Sequence, residues 1–115
     1  MSASTDQLTK RLKQLLELIG TEEVRTIAKV AMDEIPKKLV AIQQGLEAGQ
    51  LPSVSRLAHG LKGDTGTLGI NDMAELAGTL ERITEADFGH DAHDLLLQLQ
   101  NAYEKSETVL RTFRS

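Results

Sequence analysis

His59 and Lys62 stand three residues apart in the run Ala58-His59-Gly60-Leu61-Lys62-Gly63-Asp64-Thr65-Gly66-Thr67-Leu68-Gly69, which pairs one imidazole with one cation among an unusual density of glycines. On an α-helix of 3.6 residues per turn, Gly63 lies about 40° and Gly66 about 20° from His59 around the axis, whereas Leu57, Leu61 and Leu68 gather roughly 180° away. The leucines are therefore expected to face a core and the histidine to face out. Glycine inside a helix costs roughly 1 kcal/mol relative to alanine, and a helix carrying Gly60, Gly63 and Gly66 accepts that cost more than once. Bare backbone one and two turns beyond His59 lets another protein approach its ring, with Lys62 flanking the same spot.

A third residue joins them by counting along a hairpin. His59 lies ten residues before Gly69, and Glu81 lies ten residues after Asn71. At 1.5 Å rise per residue both sit about 15 Å from the turn, so their heights match. If helix rotation also points Glu81 at His59, its carboxylate accepts a hydrogen bond from Nδ1–H and leaves Nε2 as the free nucleophile.

The elements that must hold these side chains are helices throughout. Leu8, Leu12, Leu15, Leu16 and Ile19 recur at helical spacing behind a cap at Ser4 or Thr5, and Gly20 closes that short first helix. Thr21 then caps a longer stripe of Val24, Ile27, Ala28, Ala31, Ile35, Leu39, Ile42 and Leu46, up to Gly49. Pro36 reads there as either a kink or a boundary between two helices. Pro52 and Ser53 suit the start of the His59 helix, Gly69 ends it, and Asn71 or Asp72 caps the next, whose apolar face is Met73, Leu76, Ala77, Leu80 and Ile83. After the stretch Ala86-Asp87-Phe88-Gly89-His90, a last helix carries Leu95, Leu96, Leu99, Ala102, Tyr103, Ser106, Val109, Leu110 and Phe113. No stretch reads as a strand. Short connections make sequential helices antiparallel neighbours, so the expected fold is all-α: an antiparallel four-helix bundle with an additional short N-terminal helix packed as a cap or flank.

The length of 115 residues fits one domain spanning 1–115. With 40% hydrophobic residues but only 3% aromatic ones, the core must be aliphatic. The absence of cysteine removes disulfides, thiolate zinc sites and cysteine nucleophiles, and fits a reducing compartment. No apolar stretch approaches the roughly 18 to 20 residues that span a bilayer, and Met1-Ser2-Ala3-Ser4-Thr5-Asp6 does not read as a leader, so a cytoplasmic protein without a membrane partner is expected. A net charge of −4 without a basic cluster argues against nucleic acid as a partner.

His90 and His93 lie three apart with Asp87, Asp91 and Asp94 nearby, a set that could bind a divalent ion. The stronger reading is a helix start, where Asp91 and Asp94 cap free N–H groups and oppose the dipole, so no metal is expected. The Gly-x-x-x-x-Gly-Lys-Ser/Thr loop that cradles nucleotide phosphates is absent, since Lys62 is misplaced for it, and no kinase ATP-binding box is recognisable.

The stretch Ala58-His59-Gly60-Leu61-Lys62-Gly63 followed by Leu68-Gly69 resembles the signature of histidine-containing phosphotransfer (HPt) domains. Ile35-Pro36-Lys37-Lys38-Leu39 resembles the preceding helix of that family and Leu80-Glu81 its next one, so the likeness runs from about Ile27 to Ile83. Gly66-Thr67-Leu68-Gly69 with Leu80-Glu81 is also similar to the phosphotransfer domain of chemotaxis histidine kinases, where a second histidine precedes the glutamate by three residues. Gly78 stands at that place here. Asp64 is a further departure, standing where a small residue such as serine is commoner; its position toward the leucine side predicts a partly buried carboxylate in need of a partner.

The resemblance implies a phosphocarrier rather than an enzyme: His59 accepts a phosphoryl group from a receiver-domain aspartate or a histidine kinase and passes it to another receiver, Lys62 stabilises charge, and Glu81 orients the ring. Gly63 and Gly66 would form the docking surface. Phosphoryl transfer depends mainly on in-line positioning and charge stabilisation, and an ordinary imidazole, titrating near about 6.5, is largely neutral at neutral pH. Metal and acid–base machinery can then reside on the partner, and the chain itself needs no cofactor. One exposed imidazole per bundle needs no dimer, so a monomer is expected. Two alternatives remain: a helical module that binds receivers without transfer, and a piece of a hybrid or chemotaxis kinase.

Overall fold

The computed structural model describes residues 3–85 and 91–115, with the side chains of 3, 4 and 85 outside that description. Five helices follow one another: α1 Ala3–Ile19, α2 Thr21–Glu47, α3 Leu51–Leu68, α4 Asn71–Glu85 and α5 Ala92–Arg114. No strand occurs among the described residues. Helices α2 to α5 form the bundle, with α3 packed most extensively on α4 and α2 on α5, and α1 lies across α5 and α2. The all-α bundle with an added N-terminal helix is thus the fold expected from periodicity.

The core is aliphatic, as the scarcity of aromatics requires. Leu8, Leu12, Ile35, Ile42, Leu61, Ile70, Met73, Leu80, Leu99 and Leu110 are fully buried, and Tyr103 is the one buried aromatic among the described residues. Helix α1 contributes Leu8 and Leu12 to this same cluster. At 17 residues it is nearly as long as α3, not short. Because it already includes Ser4 and Thr5, neither of them is its cap.

Gly20 ends α1 and, with φ 90°, itself takes the N-cap place of α2, so that Thr21 is the first helical residue rather than the cap. Pro36 neither breaks nor divides α2, which runs uninterrupted for 27 residues. A proline lacks the N–H that would meet the carbonyl four residues earlier. That carbonyl belongs to Met32, and the Tyr103 hydroxyl of α5 donates to it over 3.5 Å. The vacancy left by Pro36 is thus met from across the bundle.

The α3–α4 hairpin is the part that positions the site. Pro52 lies in the first turn of α3, and Gly69 ends it in the left-handed conformation at φ 78°. The Ile70 N–H donates to the Thr65 carbonyl over 2.9 Å and the Gly69 N–H to the Gly66 carbonyl over 3.2 Å, closing the helix end. Ile70, not Asn71 or Asp72, takes the cap place of α4: its carbonyl accepts the Ala74 N–H at 3.0 Å. Asp72 serves the first turn instead, accepting the Met73 N–H at 2.8 Å. Helix α1 presses on this turn, since a Cβ added to Gly69 would lie 3.3 Å from the Gln7 carbonyl oxygen. Both conformation and contact therefore require glycine there.

Candidate functional site

Leu61 and Leu68 bury one face of α3 in the core, and Thr65, also buried, returns its hydroxyl to the Leu61 carbonyl at 2.7 Å. With that face fixed, the opposite one must carry His59 into solvent. Its side chain is 69% exposed. On α4 the buried Met73, Ala77 and Leu80 fix the rotation in the same way, and Glu81 then points toward α3.

Because the hairpin is tight, residues equidistant from Ile70 face each other: His59 meets Glu81, Lys62 meets Gly78, and Gly66 meets Ala74. His59 Nδ1 lies 2.9 Å from Glu81 Oε2, and Lys62 Nζ donates to Glu81 Oε1 over 3.0 Å. One carboxylate, only 15% exposed, thus holds both the imidazole and the ammonium with separate oxygens. The Lys62 hydrogen bond is the main cause that keeps the Glu81 carboxyl below its ordinary range, with a further contribution from His59, against an opposing push from burial. A carboxylate at Nδ1 favours the tautomer protonated on that nitrogen, which leaves Nε2 with its lone pair.

The surroundings of the ring are open. A Cβ added at Gly63 would meet nothing within 4 Å, and one at Gly66 would only touch Ala74 Cβ at 4.0 Å. The bare backbone inferred from glycine spacing is present along the exposed side of α3. Lys62 is 44% exposed, so its ammonium stays within reach of a visiting anion while paired.

Asp64 lies further into solvent than its place on the helical wheel suggests, its side chain being half exposed. The α2 residue Lys38 pairs with it, which answers the need for a partner. In the sequence Gly78 stands out only as a departure from the chemotaxis-kinase pattern. In the folded chain it lies beneath Lys62, and a Cβ there would come within 3.3 Å of Lys62 Cδ and 3.5 Å of Arg82 Nη1. Its equal distance from the turn with Lys62 is the signal that could have found it.

Of the residues considered for a metal, Asp87 and His90 lie outside the described residues. Asp91 does occupy the cap place of α5, without a side-chain cap hydrogen bond, and Asp94 lies in the first turn. Among the described residues no three His, Asp or Glu side chains come together as a ligand set. No helix among them is long and apolar enough to cross a membrane.

No curated protein and no solved structure matches the chain at a significant level. The family model described as Hpt domain matches residues 26–108, beginning in α2 and reaching well into α5, past the segment over which the motif likeness runs. Domains of this family carry phosphoryl groups on histidine in two-component signalling and work with receiver domains and kinases. The match covers most of the sequence and includes His59, Lys62 and Glu81, and the chain belongs to the Hpt domain family.

Proposed function

We propose that this chain is a phosphocarrier of a two-component phosphorelay, with His59 Nε2 as the atom that is phosphorylated. The observation that carries the reading is the pairing of Nδ1 with Glu81 on an otherwise exposed ring. Nε2 attacks the phosphorus of a receiver aspartyl phosphate in line. The N–P bond forms as the P–O bond to the aspartate breaks, and the carboxylate departs. The ring gains positive charge as it reacts, and Glu81 offsets that charge at Nδ1–H while Lys62 faces the phosphoryl oxygens. Passing the group to a second receiver is the same step reversed.

Receiver domains and histidine kinases are the partners this chemistry calls for. Gly63 and Gly66 provide the clearing through which a receiver's acidic pocket reaches the ring. The reading further takes residues 1–115 as one domain, supported by the shared core of α1 and the bundle, acting as a cytoplasmic monomer in which one ring per bundle suffices.

Incubation with a 32P-labelled receiver tests the proposal. Label that moves to the chain, is lost in acid but survives base, and is absent from a His59→Gln variant supports it. Binding to the receiver with no such label identifies an adaptor instead and overturns it.

A further inference from the structure

Gly78 occupies the middle of α4, where alanine would serve the helix better by roughly 1 kcal/mol. It is buried, yet the side chains nearest the site of a Cβ are the Lys62 stem and the Arg82 guanidinium rather than core residues. Arg82 is held nearby by donating to Thr79 Oγ1 over 3.1 Å. Lys62 must cross from α3 to α4 for its ammonium to reach Glu81 Oε1, and Gly78 is the α4 residue over which its stem passes.

We propose that Gly78 is a positioning residue for Lys62: the missing side chain lets the lysine stem lie down on α4, which sets the ammonium on Glu81 and beside His59. This inference rests on the phosphocarrier reading for its consequence, but its geometry stands apart from it. A methyl group at 78 leaves the stem a few tenths of an ångström short of room, and a flexible chain can give that much. A branched chain occupies the path itself. The ammonium then lifts from Glu81, and the carboxylate loses the donor that does most to keep its titration low.

The test compares Gly78→Ala and Gly78→Leu, each alone and combined with Lys62→Ala. Gly78→Ala is expected to fold with an equal or higher Tm and to transfer within about threefold of the parent, since helix propensity gains while the stem shifts little. Gly78→Leu is expected to slow phosphoryl uptake about tenfold, matching Lys62→Ala alone, and to add nothing in the Lys62→Ala background. In parallel, 13C NMR titration of the Glu81 carboxyl should move upward in Gly78→Leu as it does in Lys62→Ala. A Gly78→Leu chain with parental transfer and an unmoved Glu81 titration overturns the inference, as does equal slowing with and without Lys62. If the parent chain accepts no phosphoryl group at all, the phosphocarrier reading fails, and the Glu81 titration still decides whether Gly78 seats Lys62.

Discussion

Glu81 Oε2 approaches His59 Nδ1 at 2.9 Å across the α3–α4 hairpin, so that one nitrogen of an otherwise solvent-facing ring is engaged by a carboxylate. It arises from two buried faces and one tight turn. Leu61 and Leu68 set the rotation of α3, Met73 and Leu80 that of α4, and Gly69 sets their register.

Removing that carboxylate should cost the transfer step what a hydrogen bond to a charged group is worth, about 10- to 100-fold in rate. Glu81→Ala is the variant to measure, with 15N NMR of the His59 ring as the second readout. The parent should hold its proton on Nδ1, and the variant should populate the other tautomer. A parent ring already protonated on Nε2 contradicts the role given to Glu81.

The pH dependence has a definite sign. Glu81 titrates below its ordinary value near 4.5 in the folded chain, chiefly because Lys62 donates to it. A carboxyl lowered on folding adds stability that is fully present above its unfolded value and lost as pH falls through the folded one. Carboxyl titration of Lys62→Ala should therefore rise toward 4.5, and its stability should fall less than the parent's on acidification below that pH. Parallel acid profiles for the two chains would mean that the ion pair is not formed in solution.

Under the proposed function, Gly63 should separate folding from docking. Its Cβ position is empty, so Gly63→Ala should raise stability by up to about 1 kcal/mol. Gly63→Gln should remain folded and yet slow transfer at least about tenfold, because a long side chain stands one turn from the ring where the receiver must approach. Thermal melts alongside transfer rates would show it; unchanged transfer in Gly63→Gln refutes the need for a clearing.

Helix α2 offers a test remote from the site. If the Tyr103 hydroxyl meets the Met32 carbonyl that Pro36 leaves unpaired, Tyr103→Phe should cost about 0.5–1.5 kcal/mol in the parent and less in a Pro36→Ala background, where the backbone N–H takes over. Denaturant unfolding of the four chains supplies the cycle. Burial also pushes the Tyr103 phenol up to about 12, so stability should drop as pH rises past the ordinary phenol value of 10.

Much of this was legible in the chain itself. Period and breakers located the five helices, and counting from the turn matched His59 with Glu81 because antiparallel helices joined by a short turn keep axial register. The outward turn of His59 was legible from its helical wheel, but whether Glu81 points at it was not, since that depends on how α3 and α4 share their buried side chains. The helical wheel misplaced Asp64 because it shows angles about one axis, while the residue's exposure and its partner Lys38 depend on the neighbouring helix. Pro36 could not be resolved for the same reason: the group that compensates it lies on α5, 71 residues away from Met32 in sequence. Gly78 is only an absence in the sequence, because its significance lies in the Lys62 stem of another helix that passes over it.

NMR of the phosphorylated chain reads the reacting ring nitrogen itself. With 15N-labelled histidine and a phosphorylated receiver as donor, one phosphohistidine is expected, at position 59, with phosphorus coupled to Nε2 and the proton retained on Nδ1. Phosphorus on Nδ1, or on any residue other than His59, would contradict it.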